Sequence, residues 1–386
     1  MLNESGARML GMRIRQERLK RSWSQEGLCK GICAVSWLSK LEQGKAEASP
    51  QVLRLLLQRL ELPWYGEQMA EWQALVERQY DSLFSGDWDA FSREKEQLAN
   101  AMDRLTASPF GGDALVLWAA HQSNAGAVEP DVEACLDNRQ LTVLRVLQDR
   151  DEEAIRLTPC AYCYTQAGIG AYERGSDGAA IGYLEQGYAL ASQEGYVHLM
   201  LTCKLFIGNC YCNRQELSHM ETQYAVAARL ARLLGKKEEL RHIRYNTAAA
   251  QLEAGCYDLA YAYFGTVENP GMMELHKRAV CLEKLGRPAE ALRVLDEAEA
   301  LECAFPATDL ALAMCRVARY RLTHADYLQD GRYGEMLQAC FDRCRKELPV
   351  GYAAFHLPWL LQWLAANRQY KQAYELLLHF PAHVKW

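Results

Sequence analysis

Apolar positions along the first sixty residues recur at helical spacing and are broken at short intervals by capping residues. Over 8–21, Leu10, Ile14 and Leu19 alternate with Arg13, Arg15, Arg18, Lys20 and Arg21, which predicts an amphipathic helix with a basic outer face. Ser24 is placed to cap a second helix over 25–30, and Gly31 marks its end. A third helix, 35–43, stops at Gly44, and Ser49-Pro50 opens a fourth over 51–60, since proline is tolerated in a first turn. The segment 8–62 as a whole reads as five short helices, of which these four can be bounded.

Past Leu62-Pro63 the pattern becomes periodic. Helix, Gly or Asn turn, helix recurs with centres near Gly86, Gly126, Gly175, Asn213, Gly255, Gly286, Asp330 and Asn367. Most intervals are roughly 31 to 41 residues, the range of helix-pair solenoids. The clearest copies are 249–260 and 281–291, each with a small residue, Ala260 or Ala291, where helices would cross closely. Phe264 and Leu295 follow as apolar plugs; 206–211 supplies a first-helix element, and 87–100 and 368–380 are weaker copies. Armadillo-like or generic helical hairpins fit the same spacing.

Composition supports an all-α fold. The chain has 54 Leu and 52 Ala but only 16 Val and 7 Ile, favouring helix over strand. No window is apolar enough for a transmembrane helix, so no membrane partner is expected, and the start lacks the apolar core of a signal peptide. Fourteen Cys then read as reduced, cytosolic thiols. Charge divides the chain: residues 1–62 carry +5 and the rest −11. A small basic head on a larger acidic body suggests that the head meets a polyanion.

The run Trp23-Ser24-Gln25-Glu26-Gly27-Leu28-Cys29-Lys30-Gly31-Ile32-Cys33, then 37–45 and Ser49-Pro50, resembles an Xre-type helix-turn-helix. Gly31-Ile32-Cys33 and the short turn are similar to its PlcR/Rgg branch. The resemblance implies that Gln25 holds a phosphate of double-stranded DNA, that Ala34, Val35, Ser36 and Lys40 face the major groove, and that Glu42 ties the third helix to Arg15 or Arg18 of the first. Arg15 is also counted with the DNA-facing set. Ala34 and Val35 stand where many relatives carry polar readers; they can touch a thymine methyl but make no bidentate base contact. Trp37 is expected in the core.

The repeats resemble tetratricopeptide repeats with the first-helix Gly and Tyr often missing. A head at 1–63 joined to a right-handed helix-pair array at 64–386 resembles the RRNPP-type peptide-pheromone receptors of Gram-positive bacteria. That family implies a cytoplasmic homodimer on a palindromic operator, controlled by a short signalling peptide in the repeat groove. Projecting the repeat template puts Thr165, Asn209, His242, Tyr245, Asn246 and Lys277 on or near the concave face. Asn209 and Asn246 are first-helix residues 37 positions apart, and a side-chain amide can pair with both groups of an extended backbone. Arg244, Lys204 and Lys277 could hold a peptide carboxylate. The apolar cluster from Tyr352 to Trp363 is a candidate dimer surface or, alternatively, an internal cap on the last repeat.

No enzyme is indicated, and no cofactor or metal. Cys160-Ala161-Tyr162-Cys163 has redox spacing but no second Cys or His pair at zinc distance, and these thiols read as packing residues. HExxH, GxGxxG and P-loop patterns are absent. Two other functions share these features: a repeat scaffold with a vestigial helix-turn-helix, and a phage or mobile-element regulator.

Overall fold

Leucine- and alanine-rich segments punctuated by glycine give helices joined by tight turns. The computed structural model describes residues 4–46, 49–302, 309–348 and 350–379, and among these every regular element is a helix. The head contains α1 (Glu4–Lys20), α2 (Gln25–Cys29), α3 (Val35–Glu42) and α4 (Pro50–Arg59). There follow α5 (Met69–Ser85), α6 (Trp88–Arg93), α7 (Lys95–Thr106), α8 (Gly111–Gln122), α9 (Pro130–Glu133), α10 (Asn138–Leu147) and α11 (Asp151–Leu157). Next come α12 (Ala161–Glu173), α13 (Asp177–Glu194), α14 (Val197–Asn213), α15 (Leu217–Leu233), α16 (Lys237–Glu253) and α17 (Tyr257–Phe264). The last are α18 (Met272–Lys284), α19 (Pro288–Glu302), α20 (Asp309–Thr323), α21 (Gly331–Glu347), α22 (Val350–Ala366) and α23 (Tyr370–His379).

The capping expectations hold. Ser24 Oγ accepts the Gly27 amide at 2.9 Å, Ser49 Oγ accepts that of Val52, and Pro50 occupies the first turn of α4. Up to residue 62 the described residues form four helices rather than five. α1 starts earlier than its basic stripe indicated, because Ser5, Ala7 and Met9 are buried. Leu19, read as part of the apolar face, is instead 53% exposed.

Two compact units divide the chain, 1–170 with 183–203, and 171–182 with 204–386. In the first, α1 packs on both α3 and α8, and Leu10, Ile14, Leu28, Leu38 and Leu56 belong to one continuous core. A polar tie joins the first turn of α1 to this unit: Ser5 Oγ donates to Gln140 Oε1 at 2.8 Å, and Gln140 Nε2 donates to Asp113 Oδ1 at 2.8 Å. Position 63 therefore falls inside one compact unit.

In the second unit each helix from α15 to α23 packs against the next, and alternate helices also meet, α16 on α18 and α18 on α20. That is the contact pattern of stacked helix pairs. Gly255 and Gly286 turn the chain at φ 84° and 73°. Ala260, Phe264, Ala291 and Leu295 are all fully buried, as the repeat template requires.

The stretch from Tyr352 to Trp363 belongs to this core. Phe355, Leu357, Trp359 and Leu360 are buried, and the Trp363 indole donates to the Asp330 carbonyl at 3.0 Å. It is an internal cap, not a free dimer surface, because α22 lies directly against α21.

Candidate functional site

A helix-turn-helix must hold its second helix outward against a fixed base. Here that base is a buried ion pair. Arg18 Nε donates to Glu42 Oε1 at 2.6 Å and Arg18 Nη2 to Glu42 Oε2 at 2.9 Å, so two charges leave water only by saturating each other. Arg18 Nη1 also donates to the Trp23 carbonyl at 2.7 Å, and Gln25 Nε2 donates to Glu42 Oε2 at 2.8 Å. The Arg18–Glu42 pair thus ties α1, the turn before α2, α2 and α3. Of the two arginines considered for this pairing, Arg18 is the partner and Arg15 is exposed.

Gly11 permits the contact beneath. A Cβ at this position would stand 2.1 Å from the Leu41 carbonyl oxygen, so α1 and α3 meet backbone to backbone. Arg59 of α4 closes the other end of α2, donating to the carbonyls of Leu28 and Lys30, each at 2.7 Å. Sequence reasoning missed that role; its signal is a cation facing a helix C-terminus from another helix.

With α3 so fixed, Ala34, Val35, Ser36 and Lys40 are all exposed, while Leu38 and Leu41 are buried beneath. Trp37 is partly buried against the core, as expected. Gln25, at the first position of α2, spends one amide proton on Glu42 and keeps a second for an acceptor outside.

The residues projected onto the groove separate into three groups. Thr165 is buried, its hydroxyl donating to the Ala161 carbonyl at 2.8 Å and lying 3.2 Å from Cys203 Sγ. It is a helix-seam residue and no groove position. Lys277 is buried as well, its Nζ 3.0 Å from the centre of the Phe355 ring. Burial pulls its ammonium down to about 8 against the opposing pull of Glu253. It too lines no open groove: the degenerate repeats turn these two positions inward. His242 and Arg244 are exposed, and Tyr245 is partly buried with its ring edge-on to Phe264 at 5.6 Å. Lys204 Nζ donates to Gln223 Oε1 at 2.9 Å.

Asn209 and Asn246 do come together. Asn246 Nδ2 donates to Asn209 Oδ1 at 3.1 Å and to the Tyr224 hydroxyl at 3.2 Å, and that hydroxyl donates to Asn209 Oδ1 at 2.7 Å. Tyr224 reaches this point because Gly208 has no side chain; a Cβ there would be 2.3 Å from the Tyr224 ring. Burial holds the phenol well above its ordinary range, so it stays a donor. The cluster uses one end of each amide. Asn209 Nδ2 and Asn246 Oδ1 have no hydrogen-bond partner among the described residues, which leaves one donor side and one acceptor side. A cavity of about 370 Å³ is lined by Tyr224 together with Arg232, Ile243, Arg244, Thr247 and Tyr263 among others.

A basic head with a clamped, outward second helix defines a helix-turn-helix module, and residues 9–72 match the family model described as a helix-turn-helix domain. This agrees with the resemblance carried by residues 23–50. No curated protein matches the chain. Among solved structures, the chain is similar to PlcR of Bacillus thuringiensis, solved in complex with the peptide PapR7 and DNA. Identity is 16%, covering 82% of this chain and 100% of that one, with a TM-score of 0.33. It is also similar to the apo form of the competence regulator ComR from Streptococcus vestibularis, at 12% identity, 74% and 99% coverage and a TM-score of 0.29. No helix among the described residues is long and apolar enough to cross a membrane.

Proposed function

We propose that the chain is a cytoplasmic, DNA-binding transcription regulator whose grip on its operator is set by a short peptide bound to the second unit. The observation that carries this reading is the exposed face of α3, with Ala34, Val35, Ser36 and Lys40 outward above the buried Arg18–Glu42 pair. A helix held this firmly and presented this openly is built to enter a groove. Arg15, Lys40 and the spare proton of Gln25 meet phosphates, and the small apolar Ala34 and Val35 leave base reading chiefly to Ser36.

For the peptide, the Asn209–Tyr224–Asn246 cluster supports a backbone clamp. Its inner hydrogen bonds orient both amides, and the outer donor and acceptor match the N–H and C=O of an extended strand. Exposed Arg244 and His242 on the same helix suit a peptide carboxylate. A homodimer follows from the DNA, since two heads on one palindrome gain effective concentration and match its symmetry.

Gel retardation on the DNA upstream of the chain's own coding sequence, with and without culture filtrate, tests this reading. A shifted band whose intensity depends on filtrate is the expected result. A chain that ignores that DNA under both conditions would leave only a protein-binding scaffold.

A further inference from the structure

Fourteen cysteines run through the chain, and among the described residues Cys160 and Cys163 bring their sulfurs together with one of the two partly exposed. Cys160 immediately precedes α12 and Cys163 lies in its first turn, so the spacing of three brings both sulfurs to the same side of the helix start. The sulfurs are 3.5 Å apart, and closing to a bond requires a further approach of about 1.5 Å. Cys160 is partly exposed, whereas Cys163 is buried. Two other pairs lie close: Cys340 and Cys344 are both buried inside α21, and Cys33, partly exposed beside the buried Cys29, is pushed up by burial and by that contact.

The electrostatics of the pair are unequal. The side-chain hydrogen bond shared with Cys163, with the backbone N–H groups of Cys163 and Tyr162 at the open helix start, lowers Cys160 below the ordinary thiol value, against burial and Glu194. Cys163 is pushed up by the same contact and by burial. Tyr162, between them, is anchored in the core with its ring 5.1 Å from that of Phe84, so the turn presenting both thiols is held in place.

We propose that Cys160 and Cys163 form a reversible dithiol–disulfide site, with Cys160 the attacking and Cys163 the resolving group, oxidised by a low-molecular-weight disulfide. In the first step the Cys160 thiolate attacks one sulfur of that disulfide. Its S–S bond breaks, one thiolate leaves and takes a proton from water, and a mixed disulfide remains on Cys160. Cys163 then gives its proton to solvent and attacks the Cys160 sulfur, expelling the second thiolate. Two electrons pass from the protein to the small disulfide, which becomes two thiols. The second step is the slower, because the buried Cys163 must lose its proton first.

The full chain, equilibrated in mixtures of reduced and oxidised glutathione, acid-quenched, alkylated and digested with trypsin, tests this. Residues 157–174 form one tryptic peptide holding both thiols and no other cysteine. That peptide is expected to lose two hydrogens as an internal disulfide, reversibly and with a single midpoint. Cys163→Ser is expected to stop at a glutathione adduct on Cys160, and Cys160→Ser to take up none on Cys163. A measurement on the unaltered protein does not depend on those variants folding. Iodoacetamide at neutral pH is expected to label Cys160 several-fold faster than the partly exposed Cys33 and Cys135, whose thiols burial raises. A peptide that stays a dithiol in excess oxidised glutathione overturns the proposal, and so does labelling of Cys160 no faster than of those two.

Discussion

At Glu42 two requirements meet: the carboxylate must be buried to hold α3, and a buried carboxylate must be paired. Arg18 supplies the charge and Gln25 one further donor. Arg18→Met leaves Glu42 buried without its counter-ion, so urea denaturation should show a loss of about 3–5 kcal/mol. Lys40 is exposed and its side chain makes no hydrogen bond or ion pair among the described residues, so Lys40→Ala should spare stability yet reduce the salt dependence of DNA binding by about one ion. An unchanged salt slope would remove Lys40 from the interface. Asn246 lies between these extremes. Asn246→Ala withdraws a donor from Asn209 and from the buried Tyr224 hydroxyl, which should cost about 1 kcal/mol in the free protein. It should also abolish the peptide response. A variant that unfolds outright makes Asn246 structural, and one that still responds is no clamp.

Elements meet where the sequence leaves room. Exposed Gly→Ala changes inside a helix commonly stabilise, by about 1 kcal/mol. Gly11→Ala should do the opposite, because its Cβ meets the Leu41 carbonyl rather than solvent, and overpacking of this kind costs about 1–3 kcal/mol. The same substitution should weaken DNA binding by shifting α3 on α1. Thermal melts together with gel retardation check both halves, and a variant more stable than the parent would show that α1 and α3 can separate without harm. Gly208 plays the matching part under Tyr224, and Gly168 does so under Leu184.

For the whole molecule, acid stability carries a sign that buried histidines set. Burial first, and then Lys95, lowers His121 to about 4, while in the unfolded chain it titrates near 6.5. Burial, with His356 beside it, also lowers His276 well below its ordinary value. Between these limits the unfolded state binds more protons, so stability is complete above pH 6.5 and falls as the pH drops towards 4. His121→Gln should flatten part of that decline, whatever it costs at neutral pH by losing the ring stacked 3.9 Å from Phe91. Melting temperatures taken from pH 7 to pH 4 decide it; parallel curves for parent and variant would refute the assignment. Sedimentation should show a dimer on operator DNA, and a monomer at micromolar concentration both free and bound would exclude the two-fold reading.

Much of this was legible in one dimension. Caps such as Ser24 and Ser49-Pro50 act within a turn of their own position, and glycines such as Gly255 and Gly286 turn the chain through their own backbone, so local pattern located them. The same holds for Ala260 and Ala291, whose repeat spacing encodes burial directly. Residues whose setting comes from distant partners were not legible. Arg15 and Arg18 share one helix and one charge, and only the packing of α3 against α1 selected Arg18. Thr165 meets Cys203, Lys277 meets Phe355, and Trp363 meets Asp330, each across more than thirty residues of chain. A slip of one position in a degenerate repeat moves such a side chain from groove to seam. Cys160 and Cys163 show the same limit at short range: their spacing was plain, but exposure of one, burial of the other and a 3.5 Å approach are properties of the packed helix start. Sequence determines which segments become helices and where they stop, because those energies are local; which faces they bury is decided by neighbours that only the tertiary fold supplies.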